Sequence, residues 1–102
     1  MTSFVFHIII IMMIIESLQW DEININHISR HNISYEEVEE VCFNDDINPR
    51  IEKGREDRYY ILGQTFAGRY IFVVIKYLGK GKARPITARD MNNSERKRFE
   101  SW

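Results

Sequence analysis

Apolar residues recur along this chain with two different periods, and the changes of period mark out the elements. The segment "SYEEVEEVCF", residues 34–43, has the clearest helical pattern. Tyr35, Val38, Val41 and Cys42 form one apolar face, and Glu36, Glu37, Glu39 and Glu40 form the wet one. Ser34 followed by Glu37 is a capping box, in which each side chain satisfies a free backbone N–H of the other residue. Upstream, "DEININHISRH", residues 21–31, puts Ile25 and Ile28 on a shared face and predicts one short helix. Asn32 follows it, at a position where helices often end in a left-handed residue. "IIESLQW", residues 14–20, has the composition of a strand.

The period then changes to that of a sheet. "RYYILGQT", residues 58–65, and "RYIFVVIKYL", residues 69–78, read as strands on either side of "FAG", where Gly68 can supply the positive φ of a short hairpin loop. Tyr70 to Ile75 is almost wholly apolar, as expected of a central strand covered on both faces. "GKGK", residues 79–82, makes the next turn, and "ARPITAR", residues 83–89, pairs back. Pro85 has no N–H to donate, so that strand lies at an edge or starts irregularly. The polar stretch 44–57 carries one short edge strand, and Asn92 with Glu95 caps a last helix, 93–102. The predicted order is a strand, two helices, an antiparallel sheet of three to four strands and a helix, an α+β domain.

At 102 residues the chain is expected to form one domain, assigned to residues 14–102. Residues 1–13 are set apart as an apolar extension. "FVFHIIIIMMII" is too short to span a bilayer as a helix, and has no preceding Lys or Arg and no small-residue cleavage site after it. It reads as a buried strand, an apolar tail or translation from an upstream start codon. The last two are preferred, with Met12 or Met13 as the alternative start. The single cysteine, Cys42, reads as a packed core thiol rather than a nucleophile.

Charge changes the picture. Residues 1–49 hold nine acids and one base, a net of −8, while residues 50–102 hold thirteen bases and six acids, a net of +7. The basic half suits a polyanion, and the acidic half suits a basic protein or plain solvation.

Taken together, "WDE" (20–22), "RH" (30–31) before "SYEEVEEV", "DRYYILGQT" (57–65), "GRYIFVV" (68–74), "ITARDM" (86–91) and "ERKRFE" (95–100) resemble, in that order, the BrnT family, toxin components of bacterial type II toxin–antitoxin systems. The resemblance implies a RelE/ParE-like fold, endoribonuclease activity with no metal or other cofactor, and a cognate antitoxin encoded by a neighbouring gene. It also implies DNA binding only through that antitoxin, and a cytoplasmic protein without a membrane partner.

Metal-free RNA cleavage needs a proton acceptor for the 2′-OH, a proton donor for the leaving oxygen and cations on the phosphate. On the motifs, the cation candidates are Arg58, Arg69 and Arg89, each at the end of a predicted strand, where they can converge on one concave face. The plain alternative is that they pair with the helix glutamates. His31 is the acid–base candidate, against the alternative of a helix-terminal His that bonds the last carbonyls. His27 stands four residues earlier, but no third ligand falls at helical spacing, so a metal site is not expected. Arg96, Lys97 and Arg98 are assigned to RNA-backbone attraction, or to the antitoxin. A non-catalytic module that binds protein or nucleic acid, and a structural protein tethered through the apolar N-terminus, are the competing readings.

Overall fold

The computed structural model describes residues 15–43, 46 and 48–101. The expectations for residues 1–13 lie outside the described residues. The elements are β1 (Ser17–Leu18), α1 (Glu22–Ser29), α2 (Tyr35–Phe43), β2 (Arg50–Lys53), β3 (Arg58–Gln64), β4 (Tyr70–Gly79), β5 (Lys82–Asp90) and α3 (Asn93–Glu100). They form an α+β domain around one sheet of order β1-β5-β4-β3-β2.

The sheet corrects one expectation. It has five strands rather than three or four, and it is mixed, because β1 runs parallel to β5. The β1 ladder is only Ser17 opposite Lys82 and Leu18 opposite Ala83, extended by Glu16 N–H donating to the Gly81 carbonyl and Gln19 N–H to that of Ala83. Two residues carry no readable period, and their partner lies more than sixty positions away in the chain. The other four strands pair antiparallel, with β4 in the middle.

Local chemistry sets the helix ends. Ser34 and Glu37 exchange the two expected capping bonds at α2, and Asn92 and Glu95 exchange theirs at α3. Asp21 caps α1 through the Asn24 amide, and the Asn24 side chain bonds back to Asp21 N–H. The predicted helix 21–31 ends at Ser29, and Asn32 then takes φ 58°, the left-handed turn that Asn tolerates well.

Two apolar clusters hold the layers together. On one face α1 and α2 lay Ile28, Ile33, Val38 and Val41 against Ile61, Ile71, Val73, Ile75, Ala83 and Ala88. On the other face α3 lays Phe99 on Leu62 and Phe72, with Tyr60, Tyr70, Val74 and Met91 around them. Each fully buried Ile, Leu or Val contributes about 1.5–3 kcal/mol. Cys42 packs beside the first cluster, and burial, with the neighbouring Glu39 charge, pushes its thiol well up. That fits a core thiol rather than a nucleophile. Gly63 lets α2 come close to β3, since a Cβ there would lie 2.9 Å from Val41 Cγ1.

Pro85 sits inside β5, at a register shift between Val74 and Ile75 on β4. Its carbonyl points away from β4 and accepts from Asn24 Nδ2 at 3.1 Å. The register shift falls where proline has no N–H to give to the ladder, the irregular strand that the sequence allowed.

Candidate active site and nucleic-acid interface

Arg69 precedes β4 and gathers three elements. Its Nε donates to Asp90 Oδ1 at 2.8 Å and its Nη2 to Asp90 Oδ2 at 3.3 Å. Nη1 donates to the Asn32 carbonyl at 2.7 Å and to Glu37 Oε2 at 3.2 Å, and Nη2 also reaches the His31 carbonyl at 3.4 Å. A guanidinium has five N–H donors, and these contacts use all of them. The Arg69 charge beside Asp90 holds the Asp90 carboxyl below the usual carboxylate range, against the upward push of burial. Arg69 thus fastens the α1–α2 turn and the start of α2 to the end of β5.

His31 is exposed on that turn. Its backbone is held by Arg69, and its imidazole packs edge-on to His27 with ring centroids 6.5 Å apart. Among the described residues, no group of three or more His, Cys, Asp and Glu side chains could hold a metal ion.

Arg89 is one residue from Asp90 but on the opposite face of the sheet, as the alternation of a strand requires. It makes a paired contact with Glu95 at 2.7 and 2.8 Å and lies 4.4 Å over the Phe72 ring. The Glu95 side chain is only 8% exposed. Burial pushes its carboxyl up, but Arg89 and the Asn92–Glu95 cap outweigh that and hold it below the ordinary glutamate range.

Arg58 stands apart. It pairs across β3–β4 with Lys76, whereas Arg89 pairs across β4–β5 with Phe72. Four residues of strand separate those β4 positions, about 13 Å at 3.3 Å per residue. Among the described residues its one ion pair is a loose one with Asp57 at 3.4 Å. The three arginines therefore do not converge on one concave face. Arg69 and His31 meet on the α1–α2 side, Arg89 lies across the sheet from them, and Arg58 is at the far end.

The α3 side nevertheless gathers Arg50, Arg89, Arg96, Lys97 and Arg98, with Glu52, Glu95 and Glu100 among them. Arg98 pairs with Glu52 at 3.0 Å, Glu52 also takes Arg50 at 2.9 Å, and Arg96 lies 4.0 Å over the Tyr70 ring. Lys97 is exposed with no ion-pair partner among the described residues. Arginines over aromatic rings, beside exposed cations, make a surface suited to phosphates and bases. The plain alternative for the arginines, pairing with helix glutamates, holds for Arg69 with Glu37 and for Arg89 with Glu95, each of which also caps its helix, although the sequence did not single out these pairs. Sequence reasoning missed Asp90 altogether.

Comparison with known proteins fits this arrangement. The family model "Ribonuclease toxin, BrnT, of type II toxin-antitoxin system" matches residues 20–95, most of the chain. Among solved structures, the crystal structure of the Brucella abortus ribonuclease toxin BrnT is similar in fold, with a TM-score of 0.60 and 19% identity over 74% of this chain and 96% of that one. No curated protein matches the sequence. The α+β fold and the family match together define a ribonuclease toxin of the type II toxin–antitoxin class. Within that class, the chain belongs to the BrnT family.

Proposed function

We propose that the chain is an endoribonuclease toxin that cleaves RNA without a metal ion and is held in check by an antitoxin encoded beside it. The observation that carries this reading is the family match across residues 20–95. In the RelE/ParE-like manner that the sequence resemblance implies, RNA lies along the basic side of the sheet. Arg89 is the nearest phosphate-directed cation, with Arg58 further along the track and Arg96, Lys97 and Arg98 drawing in the backbone. The RNA 2′-oxygen attacks phosphorus, forming a cyclic phosphate as the bond to the 5′-oxygen breaks. His31, the acid–base candidate, lies across the sheet from Arg89, so an RNA that meets both passes round the Asp90 end of β5; there His31 takes the 2′-OH proton and returns a proton to the leaving oxygen. Arg69 holds the turn that carries His31. DNA is reached only through the antitoxin, and the site of action is the cytoplasm. No helix among the described residues is long and apolar enough to cross a membrane.

The separation of Arg58, Arg69 and Arg89 favours a second reading, a non-catalytic binding module of the same fold. Inducing the full chain, with and without its neighbouring gene, while following growth and total RNA separates the two. Growth arrest with RNA decay, relieved by the neighbour, is the expected result. Purified protein should cleave in excess chelator, and His31→Ala should bind RNA without cleaving it. RNA that stays intact while bound tightly would establish the second reading, and cleavage abolished by chelator would remove the metal-free mechanism.

A further inference from the structure

The helix pair on the other side of the sheet carries a surface that RNA binding leaves unexplained. Between α1 and α2 runs a groove of about 400 Å³, lined by Ile25, Ser29, Asn32, Ile33, Tyr35 and Glu37. Its floor is Ile33, 2% exposed, and its walls are the half-buried Ile25 and the exposed Tyr35. Trp20 braces Tyr35 edge-on at 5.9 Å.

The surroundings are strongly acidic. Residues 15–43 contain seven carboxylates and one arginine, Arg30. Two of the seven are neutralised from the sheet, Glu37 by Arg69 and Asp21 by Arg84. Glu16, Glu22, Glu36, Glu39 and Glu40 have no cationic partner among the described residues. Glu22 stands one turn from Ile25 on α1, and Glu36 adjoins Tyr35 on α2. The unpaired carboxylates around the groove itself favour a cationic partner over a nucleic acid. What complements such a groove is a protein segment with apolar anchors on one face and Lys or Arg along its flanks.

We propose that this groove docks a basic amphipathic segment of the antitoxin. The proposal rests on the toxin reading above and adds a location and a means of control. Asn32, in the groove wall, is next to His31 in the chain, so a segment seated there covers the His31 turn. The antitoxin then blocks proton transfer from the acidic side while the basic side of the sheet stays open.

The test is calorimetric titration of the full chain with the purified product of the neighbouring gene. Ile25→Glu, which puts a charge into the apolar wall, should weaken binding by at least about 30-fold. Glu36→Lys should weaken it by about tenfold at low salt, and less as salt rises. Arg55→Glu, in the turn after β2, should leave it unchanged. Unaltered thermal midpoints exclude misfolding, and amide hydrogen exchange on the unmutated chain gives a reading free of substitutions. Protection by the antitoxin centred on residues 25–37 is expected. Protection centred on α3 and β3–β5, with both groove variants binding normally, overturns the docking site and leaves the toxin reading standing. A dimer of the chain alone that Ile25→Glu dissolves also overturns it, because the occupant is then a second copy. Failure of the neighbouring product to bind at all overturns both this proposal and the antitoxin assignment, while RNA cleavage by the chain is still judged separately.

Discussion

Arg69 makes the clearest case at the scale of single residues. A cation intended for a substrate phosphate keeps donors free, yet all five of Arg69's are in use within the protein. Arg69→Ala should destabilise the fold by about 1–3 kcal/mol, read by urea denaturation, because it strips partners from two carbonyls and two carboxylates at once. Arg69→Lys should recover little, since an ammonium cannot reproduce the planar fork. The Arg89–Glu95 pair makes a pH prediction. The folded-state pKa of Glu95 is depressed, so its contribution is fully present above the ordinary glutamate range and is lost as pH falls from there through the lowered folded-state value. Asp90 adds in the same direction. The thermal midpoint should fall between about pH 6 and pH 3, and Glu95→Gln should flatten that fall. The caps at Ser34, Asn32 and Asn92 were legible in sequence because their bonds close within a turn. That arginines would pair with helix glutamates was foreseen as an alternative, but which arginine takes Glu37 was not, since Arg69 lies 32 positions away and only the fold brings them together.

Element by element, the periods of 3.6 and 2 located two helices, the β3–β4 hairpin, the returning β5 and the final helix. Composition placed a strand at residues 14–20, which contains β1, but its parallel pairing with β5 was not legible, because two paired residues are fixed by their partner and not by their own pattern. They also ran α1 two residues too far, because Arg30 and His31 continue the composition of a helix while their backbone already turns. The packing of α2 on β3 depends on one absent side chain. Gly63→Ala would set a methyl 2.9 Å from Val41 Cγ1 and 3.2 Å from the Val41 carbonyl oxygen. That contact can be relieved only by lifting α2, and should cost about 1–3 kcal/mol of stability in chemical denaturation. Hydrogen exchange should show the loosening in α2 ahead of α3.

Across the whole molecule, the split of charge along the sequence becomes a split between layers. The acidic first half supplies the helix pair and short β1, and the basic second half supplies β2 to β5 and α3. The charge counts of the two halves already made that division legible. The expected meeting of Arg58, Arg69 and Arg89 failed for a reason that the topology makes plain. In antiparallel strands the start of β3 adjoins the end of β4, so arginines at the starts of both lie at opposite ends of the sheet. Alternation then places Arg69 and Arg89 on different faces. RNA affinity should accordingly be carried by the α3 side. Lys97→Ala should lower the slope of log affinity against log salt by about 0.7 for a single-stranded RNA, with little change in cleavage rate at saturation.

The link between Asn24 and Pro85 has a consequence for how the protein behaves in a crowd. Beyond β1, the outer side of β5 is where an incoming strand from another chain could attach. Proline offers that strand no donor, and the Asn24 amide already occupies the carbonyl it would need. At the other edge, β2 is four residues long and carries Arg50, Glu52 and Lys53. With both borders of its sheet poor templates for strand addition, the protein should stay dispersed at concentrations where open edges would join copy to copy.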